Sequence, residues 1–152
     1  MQKITPFLWF NNNAEEAMNF YATTFKNVEI LSMRRNPDGA LFTGSISIEG
    51  QQFDVLNGGP MFKFTEAISF MVSCEDQAEV DSLWNKLTSD GGQESQCGWL
   101  KDKFGLSWQI IPKQFIAMVS DANPVKVKNV MAAMMQMKKF DIAALQEAYD
   151  KE

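Results

Sequence analysis

The chain has 152 residues, 45% of them hydrophobic and 22% charged, the composition of one ordinary folded domain that needs neither a disulfide nor a structural metal to bury a core. A formal charge of -5 and an isoelectric point near 4.8 speak against nucleic-acid partners, which demand clustered cations facing phosphates. The chain has no histidine, which excludes Ser-His-Asp and Cys-His catalysis, H-E-x-x-H zinc sites and every metal triad built on imidazoles.

The basic pairs Arg34-Arg35 and Lys138-Lys139 are too small to hold a nucleic acid. No apolar run approaches the ~20 residues that a bilayer requires. The opening MQKITPFLWF has no positively charged region ahead of an apolar stretch. No membrane partner and a cytoplasmic location are therefore expected. Two cysteines, Cys74 and Cys97, suit reduced buried thiols better than a disulfide framework.

In chain order, residues 3–10 read as a first strand, rich in aromatic and β-branched side chains. Asn13, with Glu16 three residues on, forms a capping-box pattern for a helix whose Ala17, Phe20, Tyr21, Thr24 and Phe25 share one face. Strands follow at 28–35, 40–48 and 51–57, separated by the turn signals Asn36-Pro37-Asp38-Gly39 and Glu49-Gly50. The order β-α-β-β-β then begins again. A strand at 67–74 leads to a helix opened by Asp76 and Glu79, with Val80, Leu83, Trp84 and Leu87 as its apolar stripe, and the helix stops at Gly91-Gly92.

Sliding the chain by 63 residues lays Asn13 on Asp76, Glu16 on Glu79, Phe20 on Leu83 and Tyr21 on Trp84. The later hairpins match when Gly50 is laid on Gly105, which places Phe53 on Trp108 and Asp54 on Gln109. After Pro112 the pattern turns helical, with 113–121, 124–139 and a segment opening at the cap-like Asp141. Val127, Val130, Met131, Met134 and Met137 recur at helical spacing, a stripe that suits packing on the domain or a dimer interface. The expected division is one α+β domain, with units at 1–60 and 61–113 and helices at 114–152.

Tandem βαβββ units are the pattern of the glyoxalase and bleomycin-resistance fold, the vicinal oxygen chelate superfamily. Asn57-Gly58-Gly59-Pro60, AISFMVSCEDQAEVDSLWNKL at 67–87, Gly91-Gly92 and CGWLKDKFGLSWQIIP at 97–112 resemble its PhnB-like branch, which carries the label 3-demethylubiquinone-9 3-methyltransferase. The resemblance extends to a tail similar to residues 135–149. It implies an eight-stranded cup whose halves are related by a pseudo-twofold axis, holding a small ligand. In metal-using members four ligands project into that cup, and the matching positions are Pro6, Asp54, Ser69 and Gln109. A proline, a hydroxyl and an amide with a single carboxylate make a poor set for zinc, nickel or iron, so no metal and no cofactor are expected.

The candidate site residues are Trp9, Asp54, Asn57, Ser69, Cys97, Trp99 and Gln109. Phe7, Trp9, Phe53, Trp99 and Trp108 lie on or beside the presumed cup strands, and aromatic walls suit a small apolar or aromatic ligand. Alternation lets about half of them face it. Asn57 begins a glycine-rich turn that could approach a ligand closely or simply link the units. Cys97 could be a thiol nucleophile or an inert core residue. Neither Gly-Gly pair sits in the glycine-rich strand-to-helix turn of a typical methyl-donor site, which argues against the activity in the branch label.

Three functional readings follow. The leading one is a metal-independent homodimeric small-molecule binder. The second is an enzyme of the same fold, a transferase or isomerase, using Asp54 as base or orienting group and Gln109 as hydrogen-bond donor. The third is an interaction module working through its C-terminal helices.

Overall fold

The computed structural model describes residues 2–151. The chain forms two compact units, the first ending at Phe64 and the second beginning at Thr65. In the first, β1 (Phe7–Phe10), α1 (Ala14–Thr24), β2 (Val28–Arg35), β3 (Leu41–Ile48) and β4 (Gln51–Asn57) follow in order. Its sheet runs β1-β4-β3-β2, with β1 parallel to β4 and the other pairs antiparallel. Strand β1 starts later than the sequence suggests, after Pro6, which has no amide proton but whose carbonyl still accepts from Asp54 N–H at 2.9 Å.

Register is fixed at the β3–β4 turn. Glu49 and Gly50 both take positive φ, 50° and 84°, the left-handed pair of a two-residue hairpin turn. Ile48 therefore faces Gln51, and counting back sets Ser45 opposite Asp54. Ile46, Ile48, Phe53 and Val55 are buried together with Leu8 and Phe10 of β1 and with Ala14, Ala17, Met18 and Tyr21 of α1, so one face of the sheet lies under the helix. Gly44 lets the helix approach closely, because a Cβ there would stand 3.0 Å from Met18 Sδ.

The expected Asn13 cap is not made: its side chain forms no capping hydrogen bond. Asn57, far along the chain, takes that place, its Oδ1 accepting from Ala14 N–H at 2.9 Å while its Nδ2 donates to Leu41 O at 2.9 Å.

The second unit repeats the order with β5 (Phe70–Cys74), α2 (Gln77–Leu87), β6 (Gln93–Glu94), β7 (Trp99–Lys101) and β8 (Ser107–Pro112). The sheet runs β5-β8-β7-β6. Here the cap is as the sequence predicts, with Asp76 Oδ1 accepting from Glu79 N–H at 2.8 Å. The Glu79 carboxylate reaches back to Glu75 N–H at 3.0 Å, one residue beyond the N-cap amide that an ideal capping box uses. Val80, Leu83, Trp84 and Leu87 are buried, as are Cys74, Leu100, Trp108 and Ile110 of the strands.

The tail forms α3 (Lys113–Val119), α4 (Pro124–Met134) and α5 (Ile142–Asp150). Phe115, Met118, Val130, Met134, Phe140 and Leu145 join Ile111 of β8 in one buried cluster, with Met137 and Cys97 packed against it. Met131 of the expected stripe stays 40% exposed. The tail is also tied to the β6–β7 loop, where Cys97 N–H donates to Met137 O and Gly98 N–H to Lys138 O, both at 2.8 Å.

Candidate functional site

Each sheet buries one face under its helix and leaves the other open to carry chemistry. In the first unit, β-alternation puts Phe7, Asp54, Ser45 and Ser32 in one cross-strand row on the open face, with Trp9, Leu56, Thr43 and Arg34 in the next. Asp54 is half-buried, and its Oδ1 accepts from Ser45 Oγ at 2.6 Å and from Gln52 Nε2 at 3.4 Å. Its Oδ2 receives no hydrogen bond from a described residue.

Trp9 shares that face and forms one assembly with the glycine turn. Its Nε1 donates to Gly59 O at 2.9 Å, its ring meets Phe62 edge-on at 5.0 Å, and a Cβ on Gly58 would stand 2.4 Å from ring carbons. Gly58 is therefore needed for the indole to lie over the turn. Asn57 turns instead away from the open face, and both ends of its amide are used, Oδ1 by Ala14 N–H of α1 and Nδ2 on Leu41 O of β3.

In the second unit Gln109 lies between Met71 and Trp99 in register, and its Nε2 donates to Ser69 Oγ at 2.9 Å. Ser69, Trp99 and Gln109 thus meet on one open face. Trp108 is 2% exposed, lies against Phe70, and donates to Asp102 Oδ2 at 3.0 Å. Of the five aromatic candidates, Phe7, Trp9 and Trp99 occupy open faces, while Phe53 and Trp108 belong to the core. Cys97 takes a positive φ of 59° and packs against the tail cluster. Burial pushes the Cys74 thiol up to about 12, with Glu79 and Asp76 adding to the effect, which makes it a poor nucleophile.

The 63-residue offset that aligns the two helices also lays Pro6 on Ser69, the two first-strand positions that the family resemblance implies, and the strand register departs from that pairing by one residue. Asp54 faces Phe7, whereas Gln109 faces Met71. Counting two residues back from each leads to Thr5 in the first unit and Ser69 in the second. The cause is the strand-to-helix connection, three residues (11–13) in the first unit and two (75–76) in the second.

The donors present do not fit a divalent ion. Among the described residues no three His, Cys, Asp or Glu side chains gather into a metal-binding group. The one carboxylate at the matched positions already accepts from Ser45, and the Gln109 amide nitrogen is turned toward Ser69. A methyl donor fares no better: the turns into α1 and α2, Asn11-Asn12-Asn13 and Glu75-Asp76, contain no glycine.

Three features escaped the sequence reading. Ser45, the partner of Asp54, could have been found from the two-residue turn that sets the β3–β4 register. Asp102, 2% exposed, accepts from the amides of Phe104 and Leu106 at 2.9 and 3.1 Å and so shapes the β7–β8 turn. Ser107, 1% exposed, carries a hydroxyl with no hydrogen-bond partner and nothing in its local sequence marks it.

The sequence model of the family described as 3-demethylubiquinone-9 3-methyltransferase matches residues 2–111, leaving outside it the tail that the sequence resemblance had included. The PhnB protein of Bacillus cereus, which bears the same methyltransferase description, is 36% identical over 73% of this chain and 99% of its own, with a TM-score of 0.69. Protein PA1353 of Pseudomonas aeruginosa is 19% identical over 74% of this chain and 98% of its own, with a TM-score of 0.59. The fosfomycin resistance protein FosX of Listeria monocytogenes, in a mutant form complexed with Mn(II), is 14% identical over 73% of this chain and 93% of its own, with a TM-score of 0.52. The last two show a shared fold and nothing finer. No curated protein matches the chain. Two βαβββ units in order, the family match across both, and the Bacillus cereus relative together place the chain in the PhnB-like, 3-demethylubiquinone-9 3-methyltransferase family of the glyoxalase and bleomycin-resistance fold.

Proposed function

We propose that the protein binds a small apolar or aromatic molecule on its open sheet faces without a metal, acting as a cytoplasmic homodimer. One observation carries this reading: each open face sets a hydrogen-bonded polar pair, Ser45–Asp54 or Ser69–Gln109, beside an exposed apolar side chain. Phe7 and Met71, the residues directly opposite Asp54 and Gln109, are each 56% exposed. Apolar walls with few convergent polar groups are the usual make-up of a small-molecule site. The test is native mass spectrometry of untagged protein purified without chelators, followed by a thermal-shift screen of apolar and aromatic compounds. A metal-free dimer stabilised by such compounds is expected. A stoichiometric divalent ion, or a screen without any stabilising compound, refutes the reading.

Asp54 Oδ2, which takes no donor from a described residue, favours a second reading in which this carboxylate acts as a base on a substrate lying against the first open face. Asp54→Asn keeps the Ser45 hydrogen bond in reach and removes the base. Under that reading it abolishes turnover and leaves the unfolding midpoint almost unchanged.

A further inference from the structure

The open face of the second sheet carries a shallow hollow of about 130 Å³, whose side-chain lining comes from Glu66, Gln93, Ser95, Trp99, Lys101 and Ser107. Lys101 and Ser107 face one another across the β7–β8 ladder, and Gln93 faces Lys101 across β6–β7, so the hollow is built on strand positions. Its size admits several waters, hence one molecule between a triol and a pentose. We infer that it is a binding site for a small uncharged polyhydroxylated molecule, a polyol or a sugar, held between Trp99, Ser107, Gln93 and the Lys101–Glu66 ion pair. This rests on the reading that the open faces bind small molecules, and it departs from that reading in giving the second face a polyhydroxylated ligand in place of an apolar or aromatic one.

Two independent donors in the hollow lack partners. Ser107 Oγ is buried and unpaired, a state that costs free energy unless something outside the chain supplies the bond. Three of the four indoles are satisfied internally, Trp9 by Gly59 O, Trp84 by Glu94 and Trp108 by Asp102. The Trp99 N–H makes no hydrogen bond to a described residue, although the side chain is half-buried and lines the hollow.

Charge selects the ligand. Lys101 and Glu66 form an ion pair and neutralise each other; Glu94 also borders the hollow, but it stands opposite buried Leu100 on the other face of the sheet and its carboxylate accepts from Trp84 Nε1, so the remaining polar side chains are neutral amides, hydroxyls or indole. The pair offers an incoming ion no net charge: what an anion gains at Lys101 it loses beside Glu66, and the reverse holds for a cation, while the partly exposed pair itself contributes little. A hydroxyl both donates and accepts, so it can join the pair without breaking it, accept from Trp99 and Gln93, and exchange a bond with Ser107. The flat indole face then meets the ligand's C–H surface.

The experiment uses the full chain labelled with nitrogen-15. The four indole N–H signals are followed by NMR, with the Trp99 signal identified by its loss in Trp99→Phe. Glycerol and D-xylose are the polyhydroxylated probes, propionate and ethylammonium the charged ones, and free indole the apolar aromatic one, all at constant ionic strength. The expected result is a saturable shift of the Trp99 signal with a polyol or sugar and not with either ion. Ser107→Ala should then raise the half-saturation concentration about threefold to tenfold, the weight of one neutral hydrogen bond. Silence toward both polyols, a stronger response to either ion, or an unchanged titration in Ser107→Ala overturns the inference. A response to free indole alone overturns the polyol assignment and leaves the small-molecule reading standing, whereas silence toward every probe removes both.

Discussion

Replacing Asn57 separates a structural role from a ligand role at one residue. Its side chain holds two backbone groups, the amide of Ala14 and the carbonyl of Leu41, each at 2.9 Å, in residues only 0% and 3% exposed. Loss of a helix N-terminal cap costs about 0.5–2 kcal/mol, and a carbonyl left buried without its partner costs about 1–3 kcal/mol. Asn57→Ala should therefore destabilise the protein by about 2–4 kcal/mol, a large share of the roughly 5–15 kcal/mol that holds a domain together. With a urea slope of about 1–3 kcal/mol/M the midpoint falls by about 1–2 M. Asn57→Asp keeps the acceptor and adds a negative charge near the helix N-terminus, so it should lose only about half as much. Asn13→Ala, at the position the sequence marks as the cap, should change stability by less than about 0.5 kcal/mol, because its side chain makes no capping bond. Urea melts of the three variants decide the matter. Equal losses in Asn57→Ala and Asn13→Ala would refute the long-range cap. A loss of ligand affinity in Asn57→Ala at unchanged stability would return Asn57 to the binding site.

Other expectations follow from burial and close contact. The Cys74 thiol, ordinarily near 9.0, is pushed up to about 12 mainly by burial, so its contribution is complete below pH 9 and is lost as the pH rises from about 9 toward 12, when the unfolded thiol ionises and the folded one does not. Between pH 8 and pH 10 the wild type should lose about 1.4 kcal/mol more stability than Cys74→Ala, and parallel pH profiles of the two would refute this. Phe140→Ala empties a fully buried position in the tail cluster and should cost about 3–5 kcal/mol; deletion of 138–152 removes Leu145 as well, so an unfolded second unit rather than a merely monomeric protein is the expected outcome by circular dichroism and light scattering. Gly58→Ala drives a methyl into the Trp9 ring, which should break the indole bond to Gly59 O and move the tryptophan emission to longer wavelength; an unchanged spectrum would refute the close contact.

What the sequence made legible was local. Strands β2 and β4 lie at 28–35 and 51–57 as the alternation and turn signals predict, and the Asp76 cap of α2 stands where the motif places it. The pairing of Ser45 with Asp54 was within reach too, because a two-residue turn leaves only one register. Asn57 on Ala14 and Gln109 on Ser69 span 43 and 40 residues, and no short-range rule proposes such partners. Burial hid Ser107 for a related reason: a serine that begins a strand looks like ordinary edge chemistry until its neighbours are known.

The one-residue error in the repeat shows why site residues are harder to carry along a sequence than folds. The helices α1 and α2 start at 14 and 77, so an offset of 63 residues aligns their caps and apolar stripes. The strands before them do not obey it, since Phe7 and Met71 occupy equivalent places opposite Asp54 and Gln109, 64 residues apart. A helix tolerates this because its phase is set by its own cap and stripe, and the extra residue is absorbed in the 11–13 connection. A strand does not, because its side chains alternate and one step turns each to the opposite face. Carrying the helix offset into β1 therefore agrees with Pro6, the position implied by the family resemblance and one without a donor, where the strand offset selects Thr5, a hydroxyl like Ser69. The charge of the donor set is unchanged by the correction: a second neutral hydroxyl adds no charge beside Asp54. The symmetry of the two open faces, by contrast, becomes closer than the sequence alone suggested.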